Sequence, residues 1–343
     1  MISQSQLLSN YKKRQTRYRI TLGILMGIVF LLAAILMCYG NTIYSPHTVL
    51  RVLLGEDIKG AAFTIKTLRL PRMLAALLSG IAFGLAGNTF QRLLGNPLAS
   101  PDIIGITSGA SVAAVFGILI LNLSETQVSF LAVLSGLFVS ALIYFLSQGS
   151  SFSNSKLILT GIGVQAFLNA AISWMLLKAS EYDVPNALRW LNGSLNGTKM
   201  DQIPELFLVV CLATLALLLF DSHLQILQLG DAFATTLGLK LRTSRLLFIL
   251  CALLLIAFST SVTGPITSIA FLSGPIASKL SGDSSRNMMS AGLVGAILVM
   301  ASDIIGQFAF QTHYPVGVIT GILGAPYLIF LLLRINRKGE HLS

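Results

Sequence analysis

Charge in this chain is confined to narrow gaps between long apolar runs, and that pattern constrains the fold more than any motif. Asp, Glu, Lys and Arg make up only 10% of the residues while 54% are hydrophobic; a soluble domain carries about a quarter charged residues. A helix needs about 20 mostly apolar residues to cross the hydrocarbon core of a bilayer. The sequence accommodates about ten such runs, over 20–40, 72–93, 101–121, 128–148, 156–178, 203–221, 241–262, 267–282, 288–311 and 315–334. The expected fold is all-α and polytopic, with about ten transmembrane helices in one membrane domain over 1–343. Short connections leave no room for a soluble domain of ordinary size.

Topology explains the net charge of +10 better than a nucleic-acid partner does. If each run crosses once, 15 of the 23 Lys and Arg fall on the side of the N-terminus and 8 on the other. That bias follows the positive-inside rule and puts both termini in the cytoplasm, with an even number of spans. Residues 1–19 form a basic cytoplasmic tail with Lys12, Lys13, Arg14, Arg17 and Arg19, and 335–343 a second tail. The apolar run after the first tail is too long for a signal-peptide core and reads as a retained helix. Cys38, Cys211 and Cys251 lie far apart in apolar stretches, as inert buried thiols rather than a disulfide framework or metal site.

Several segments depart from simple crossing. Ser79, Gly80, Gly84 and Gly87 are small residues of the kind that lets helices approach closely in lipid. Gly95–Asp102 and Thr263–Pro275 hold prolines that interrupt helices, and such backbone survives at membrane depth only when buried in protein or facing water. The outer segment Lys178–Glu205 exceeds ordinary loop length and carries Trp190 as an interfacial anchor. At the cytoplasmic side, Leu224, Leu227, Leu229, Phe233 and Leu237 have the spacing of a short amphipathic helix pair broken by Gly230 and Gly238. A surface helix pair with so little basic charge suits a protein partner better than lipid.

Catalytic constellations are missing from the sequence. The four histidines are isolated, there is no paired cysteine or H-E-x-x-H, and no G-x-x-x-x-G-K-[ST] that would cradle a nucleotide. The chain is therefore read as no enzyme, with no metal site and no cofactor of its own. Asp303 is the one carboxylate well inside an apolar run; such a group either marks a transport path or is capped or paired within the bundle. Gln165 and Asn169 join it as polar groups of the path or bundle.

One family brings these features together. Leu68-Arg69-Leu70-Pro71-Arg72, Gly80 to Gly87, Gln91, Asn96-Pro97-Leu98-Ala99-Ser100-Pro101, Gly105, Leu229-Gly230-Asp231-Ala232, Thr236-Leu237-Gly238 and Gly324-Ala325-Pro326 resemble the FecCD-type permeases of ABC importers for iron–siderophore complexes, haem and cobalamin. Asp183–Gly197 is most similar to the siderophore branch. The resemblance implies a type II importer permease in a bacterial cytoplasmic membrane. Its partners would be a second permease subunit (the same or a different chain), two ATPase subunits that carry the ATP and Mg, and an extracytoplasmic substrate-binding protein. A haem or cobalamin importer is the alternative within the family, and an ion-coupled secondary transporter the alternative outside it.

The resemblance also assigns roles. Arg69 and Arg72 would dock the binding protein. Leu227, Leu229, Gly230, Asp231, Ala232, Phe233 and Gly238, within a cytoplasmic segment 222–240, would couple to the ATPase. Asn96, Leu98, Ser153 and Asn154 would form the cytoplasmic gate. Two departures stand out: the histidine of the family's Val-Pro-His stretch is absent from Leu272–Lys279, and a second docking arginine falls near Gln307.

Overall fold

The structure is a computed structural model that describes residues 4–147, 154–282 and 287–339. Its helices in chain order are α1 (Gln4–Cys38), α2 (Pro46–Leu53), α3 (Ala61–Phe63), α4 (Leu70–Leu94), α5 (Ile106–Leu119), α6 (Glu125–Leu146), α7 (Asn154–Lys178), α8 (Val184–Leu191), α9 (Ile203–Leu219), α10 (Asp221–Leu227), α11 (Asp231–Thr236), α12 (Leu241–Thr263), α13 (Ile269–Ser281), α14 (Met288–Phe308) and α15 (Val316–Gly339). No strand occurs among the described residues. All ten expected spans are helical. Seven of them are long and apolar enough to cross a membrane unaided. The other three are the 14-residue α5, α13, whose 13 residues reach only about 20 Å at 1.5 Å per residue, and the 24-residue α15.

Burial is inverted relative to a soluble bundle. Phe138 on α6, Phe167 and Leu177 on α7 and Phe207 on α9 are exposed, whereas Ser79, Ser259, Thr260, Ser273 and Ser302 are buried. Large apolar groups on the perimeter suit hydrocarbon, and small polar ones fill helix–helix seams where a hydroxyl can bond its own helix. Ser79 Oγ donates to Ala75 O at 2.5 Å and Ser273 Oγ to Ile269 O at 2.7 Å in this way.

The centre is α4, which packs on α12, α13 and α14. Its small stripe makes this possible. A Cβ on Gly80 would lie 2.5 Å from Ala296 Cα and 2.7 Å from Gly295 O. Gly84 meets the Ala291 carbonyl and Gly87 that of Ala270 equally closely. Without a hydrophobic drive between helices in lipid, backbone contact of this kind carries the packing.

Proline and glycine set the irregular points. Pro71 cannot donate to the preceding turn and its ring crowds the carbonyl four residues back. The chain before it widens into a π-helical turn over Thr64–Arg69, and Leu70 N–H bonds Ile65 O. The turn joins α3 to α4 in one continuous rod, Ala61–Leu94. Gly264 (φ +67°) ends α12, and Ser268 (φ +70°), in the left-handed region unusual for a residue with a Cβ, opens α13. The two interruptions therefore sit at opposite ends of the bundle, with Gly95–Ser100 at the end of α4 and residues 264–268 at the end of α12.

The basic N-terminal stretch is helical and continuous with the first span: α1 runs unbroken for 35 residues, about 52 Å, well beyond a hydrocarbon core of about 30 Å. Arg17 on it caps the last carbonyls of α13, at 3.1 Å to Leu280 O and 3.0 Å to Lys279 O. Phe330 of α15 lies against Lys279 at the same level. The chain thus enters and leaves at one end, called the near end below, and α10 and α11 lie there too. The far end carries the start of α4 and the finish of α14.

Candidate functional site

Three constellations distinguish the ends of the bundle. At the far end, Arg72 opens α4 and faces inward. Its Nε and Nη2 donate to the two oxygens of Asp303 on α14, at 2.9 and 2.6 Å, a bidentate pairing that fixes orientation as well as charge. Nη1 donates to Asn196 Oδ1, and Gln307 Nε2, one turn from Asp303, donates to Asp303 Oδ2 at 2.8 Å. The Asp303 side chain is 1% exposed and that of Arg72 20%. Asp303 is thus paired within the bundle. Of the two arginines expected to dock a binding protein, Arg72 has its charge compensated internally by Asp303.

Arg69 is placed differently. It donates to Met37 O at 2.9 Å and Thr42 O at 2.5 Å, and its guanidinium lies 5.0 Å from the centroid of the Tyr44 ring. No carboxylate pairs with it among the described residues, so its charge remains available. Both arginines line a cavity of about 400 Å³ with Tyr39, Thr42, Asn196, Gln307 and His313. The segment from Pro46 to Phe63 between α1 and the π-helical turn, including α2 capped by Ser45 Oγ, which accepts from Thr48 N at 3.1 Å, was not anticipated from the sequence. The Ser45-Pro46 pair, a cap followed by proline at the first helical position, was the available signal.

At the near end, α10 and α11 form a turn with two faces. Leu224, Leu227 and Ala234 are buried against the bundle, while Leu229, Phe233 and Leu237 are at least 60% exposed. Gly230 sits at φ +97°, ψ 161°, a region essentially closed to other residues. Gly238 (φ +80°) is the left-handed residue of a Schellman motif: its N–H bonds Thr235 O at 2.9 Å and Leu239 N–H bonds Ala234 O at 3.0 Å. Asp231 pairs with Arg245 of α12, and Ala232 is exposed. Two glycine-dependent bends hold this apolar edge outward.

The third constellation joins these elements. Arg92, in the last turn of α4, donates through Nη1 to Asp221 Oδ1 at 2.6 Å, with side chains 9% and 13% exposed. Gln225 Nε2 donates to the other oxygen at 2.8 Å. Periodicity and motif reading missed this pair, since its members lie 129 positions apart.

The remaining expected residues scatter. Asn96 is exposed, accepts from Leu98 N at 2.9 Å through Oδ1 and holds the loop after α4 in an Asx turn; Leu98 is half-buried. Ser153 lies outside the described residues, and Asn154 is the first residue of α7 with its side chain outside them. Gln165 donates to Asp102 O, tying α7 to the turn before α5. Asn169 is exposed on α7, its carbonyl accepting from Ser173 Oγ at 3.0 Å. Gln165 and Asn169 do not converge with Asp303. Trp190 is half-buried and lines a second far-end cavity with Gly264. No cluster of His, Cys, Asp and Glu suited to a metal occurs among the described residues.

Comparison with known proteins agrees with this architecture. The chain is 36% identical over 300 residues to the ferric enterobactin transport system permease protein FepG of Escherichia coli, covering 87% of this chain and 91% of that one. It is 33% identical over 331 residues to the Fe(3+)-citrate import system permease protein YfmE of Bacillus subtilis, covering 95% and 98%. A solved metal-chelate type ABC transporter in an inward-facing conformation shares the fold, with a TM-score of 0.82 at 24% identity over 91% of this chain and 98% of that chain. The FecCD transport family matches residues 12–334, and the chain belongs to that family.

Proposed function

We propose that this chain is the transmembrane permease subunit of an ATP-binding-cassette importer that carries a ferric siderophore into the cytoplasm by alternating access. The observation that carries the reading is the near-end turn: a FecCD-family chain with no nucleotide-binding motif of its own presents Leu229, Phe233 and Leu237 outward. Such a surface fits the cleft of a separate ATPase, which brings the ATP and Mg. The near end is then cytoplasmic, in line with the excess of Lys and Arg on that side. The far end receives an extracytoplasmic binding protein, with Arg69 as its uncompensated cation. A second permease, identical or related, completes the path. The siderophore class rests on the names of the relatives together with the likeness of Asp183–Gly197 to the siderophore branch.

A secondary transporter coupled through Asp303 fits less well, because that carboxylate already holds a bidentate guanidinium and a glutamine amide and has no relay partner. The test is reconstitution into vesicles with the ATPase encoded alongside. ATP-dependent uptake of a radiolabelled ferric siderophore, together with copurification of the ATPase, is the expected result. Uptake driven by an ion gradient without nucleotide would overturn the proposal.

A further inference from the structure

The ATPase-facing turn touches the bundle core at few polar points, and one of them is built unlike the rest. Asp221 is the first residue of α10, and Arg92 lies in the last turn of α4, three residues before the Gly95 bend that releases the loop of Asn96 and Leu98. The pair is nearly buried, both Asp221 oxygens are engaged, and Arg92 Nη2 is buried with no hydrogen-bond partner. A buried donor without a partner is costly, so this contact is less fully satisfied than an ordinary structural ion pair. Beside the pair, Tyr18, Leu219, Asp221, Gln225 and Met288 line a cleft of about 370 Å³, which gives α10 room to shift.

We infer that Arg92 and Asp221 form the mechanical link that transmits displacement of the ATPase-bound turn to α4 and its adjoining loop. The inference rests on the permease reading above. α4 suits this role because it runs without interruption from the Asp303 pair at the far end to Arg92 at the near end and is locked by backbone contact to α13 and α14. A push on α10 therefore reaches the loop of Asn96 and Leu98 through this charged contact in addition to the apolar packing of Leu224 and Leu227. Arg92 and Asp221 are positioning residues; neither is required to touch cargo.

The experiment uses the full transporter in proteoliposomes and measures ATP hydrolysed per ferric siderophore imported. The main variant is the double replacement Arg92→Met/Asp221→Leu, which removes both charges together and leaves no lone buried ion. The expected result is retained ATPase copurification, hydrolysis within twofold of the native complex, and at least a tenfold rise in ATP consumed per cargo. Arg92→Lys, which keeps the charge, is expected to hold the ratio within about threefold. If the double variant assembles and its ratio equals the native one, or if uptake and hydrolysis fall in proportion to the amount of complex, the link is refuted and the pair is only structural. If the native complex itself shows no nucleotide-driven uptake, the permease reading fails first and the link falls with it.

Discussion

Replacing Asp303 with leucine should expose how much of the far end depends on one ion pair. The carboxylate is 1% exposed and takes two bonds from Arg72 and one from Gln307. Deleting one partner of a fully buried pair costs about 3–5 kcal/mol, mostly because the other charge is left uncompensated. Arg72 keeps 20% of its side-chain exposure, so water recovers part of that cost and the expected loss is about 2–3 kcal/mol. Arg72→Met alone should cost a similar amount. The double variant Arg72→Met/Asp303→Leu should cost less than either single, because replacing a buried pair by apolar groups is often neutral. The predicted coupling is at least about 2 kcal/mol, roughly 30-fold or more in the folding equilibrium, read from reversible denaturant unfolding in lipid–detergent micelles. If the two singles and the double add within about 0.5 kcal/mol, the pair does not stabilise the junction of α4 and α14.

The other predictions concern packing and partners. Gly84→Val places a branched side chain against the Ala291 carbonyl; overpacking costs about 1–3 kcal/mol or more where backbone must move, and the yield of folded protein on size-exclusion chromatography should fall sharply. Phe233→Ala removes an exposed ring, so thermal stability should not change, whereas ATPase affinity should drop by about 2 kcal/mol or more if the ring is an interface anchor; unchanged copurification would remove it from the interface. Arg69→Glu should weaken binding-protein capture more than Arg69→Ala and lessen its salt dependence. Equal affinities for the two variants would leave Arg69 as a tether for Met37 and Thr42 alone.

Where the fold was legible, one physical rule was responsible. Hydrocarbon admits only long apolar helices with their backbone satisfied internally, so apolar run length located α1, α4, α6, α7, α9, α12 and α14. It located the shorter α5 and α13, and α15 with Pro326 inside it, less directly, by the runs between loops and prolines. Glycine chemistry made α10 and α11 readable, because Gly230 and Gly238 occupy conformations other residues avoid. Other features leave no local trace. The π-helical turn depends on how α3 joins α4 around Pro71. Arg69 has no carboxylate partner among the described residues while Arg72, three residues on, is compensated, because a carboxylate 231 positions away decides the second.

That asymmetry bears on how docking and the bundle interior communicate. A binding-protein carboxylate approaching the far end meets Arg69 first, because Arg72 is already committed to Asp303. A second carboxylate in the cavity shared by Arg69 and Arg72 would have to compete with Asp303, a like charge, for one guanidinium. Neutral Gln307 donates to Asp303 without supplying the positive charge that Arg72 does. Under this arrangement Gln307→Arg should change the far end in a defined way. The new guanidinium, one helical turn from Asp303, can share its carboxylate and free part of Arg72 for an incoming acid. Binding-protein affinity should rise several-fold at low ionic strength, and the gain should shrink as salt increases, since exposed charge pairs are screened within about 10 Å at 0.1 M salt. An affinity unchanged at every ionic strength would mean that Asp303 does not limit access to Arg72, and that docking proceeds through Arg69 without involving the interior pair.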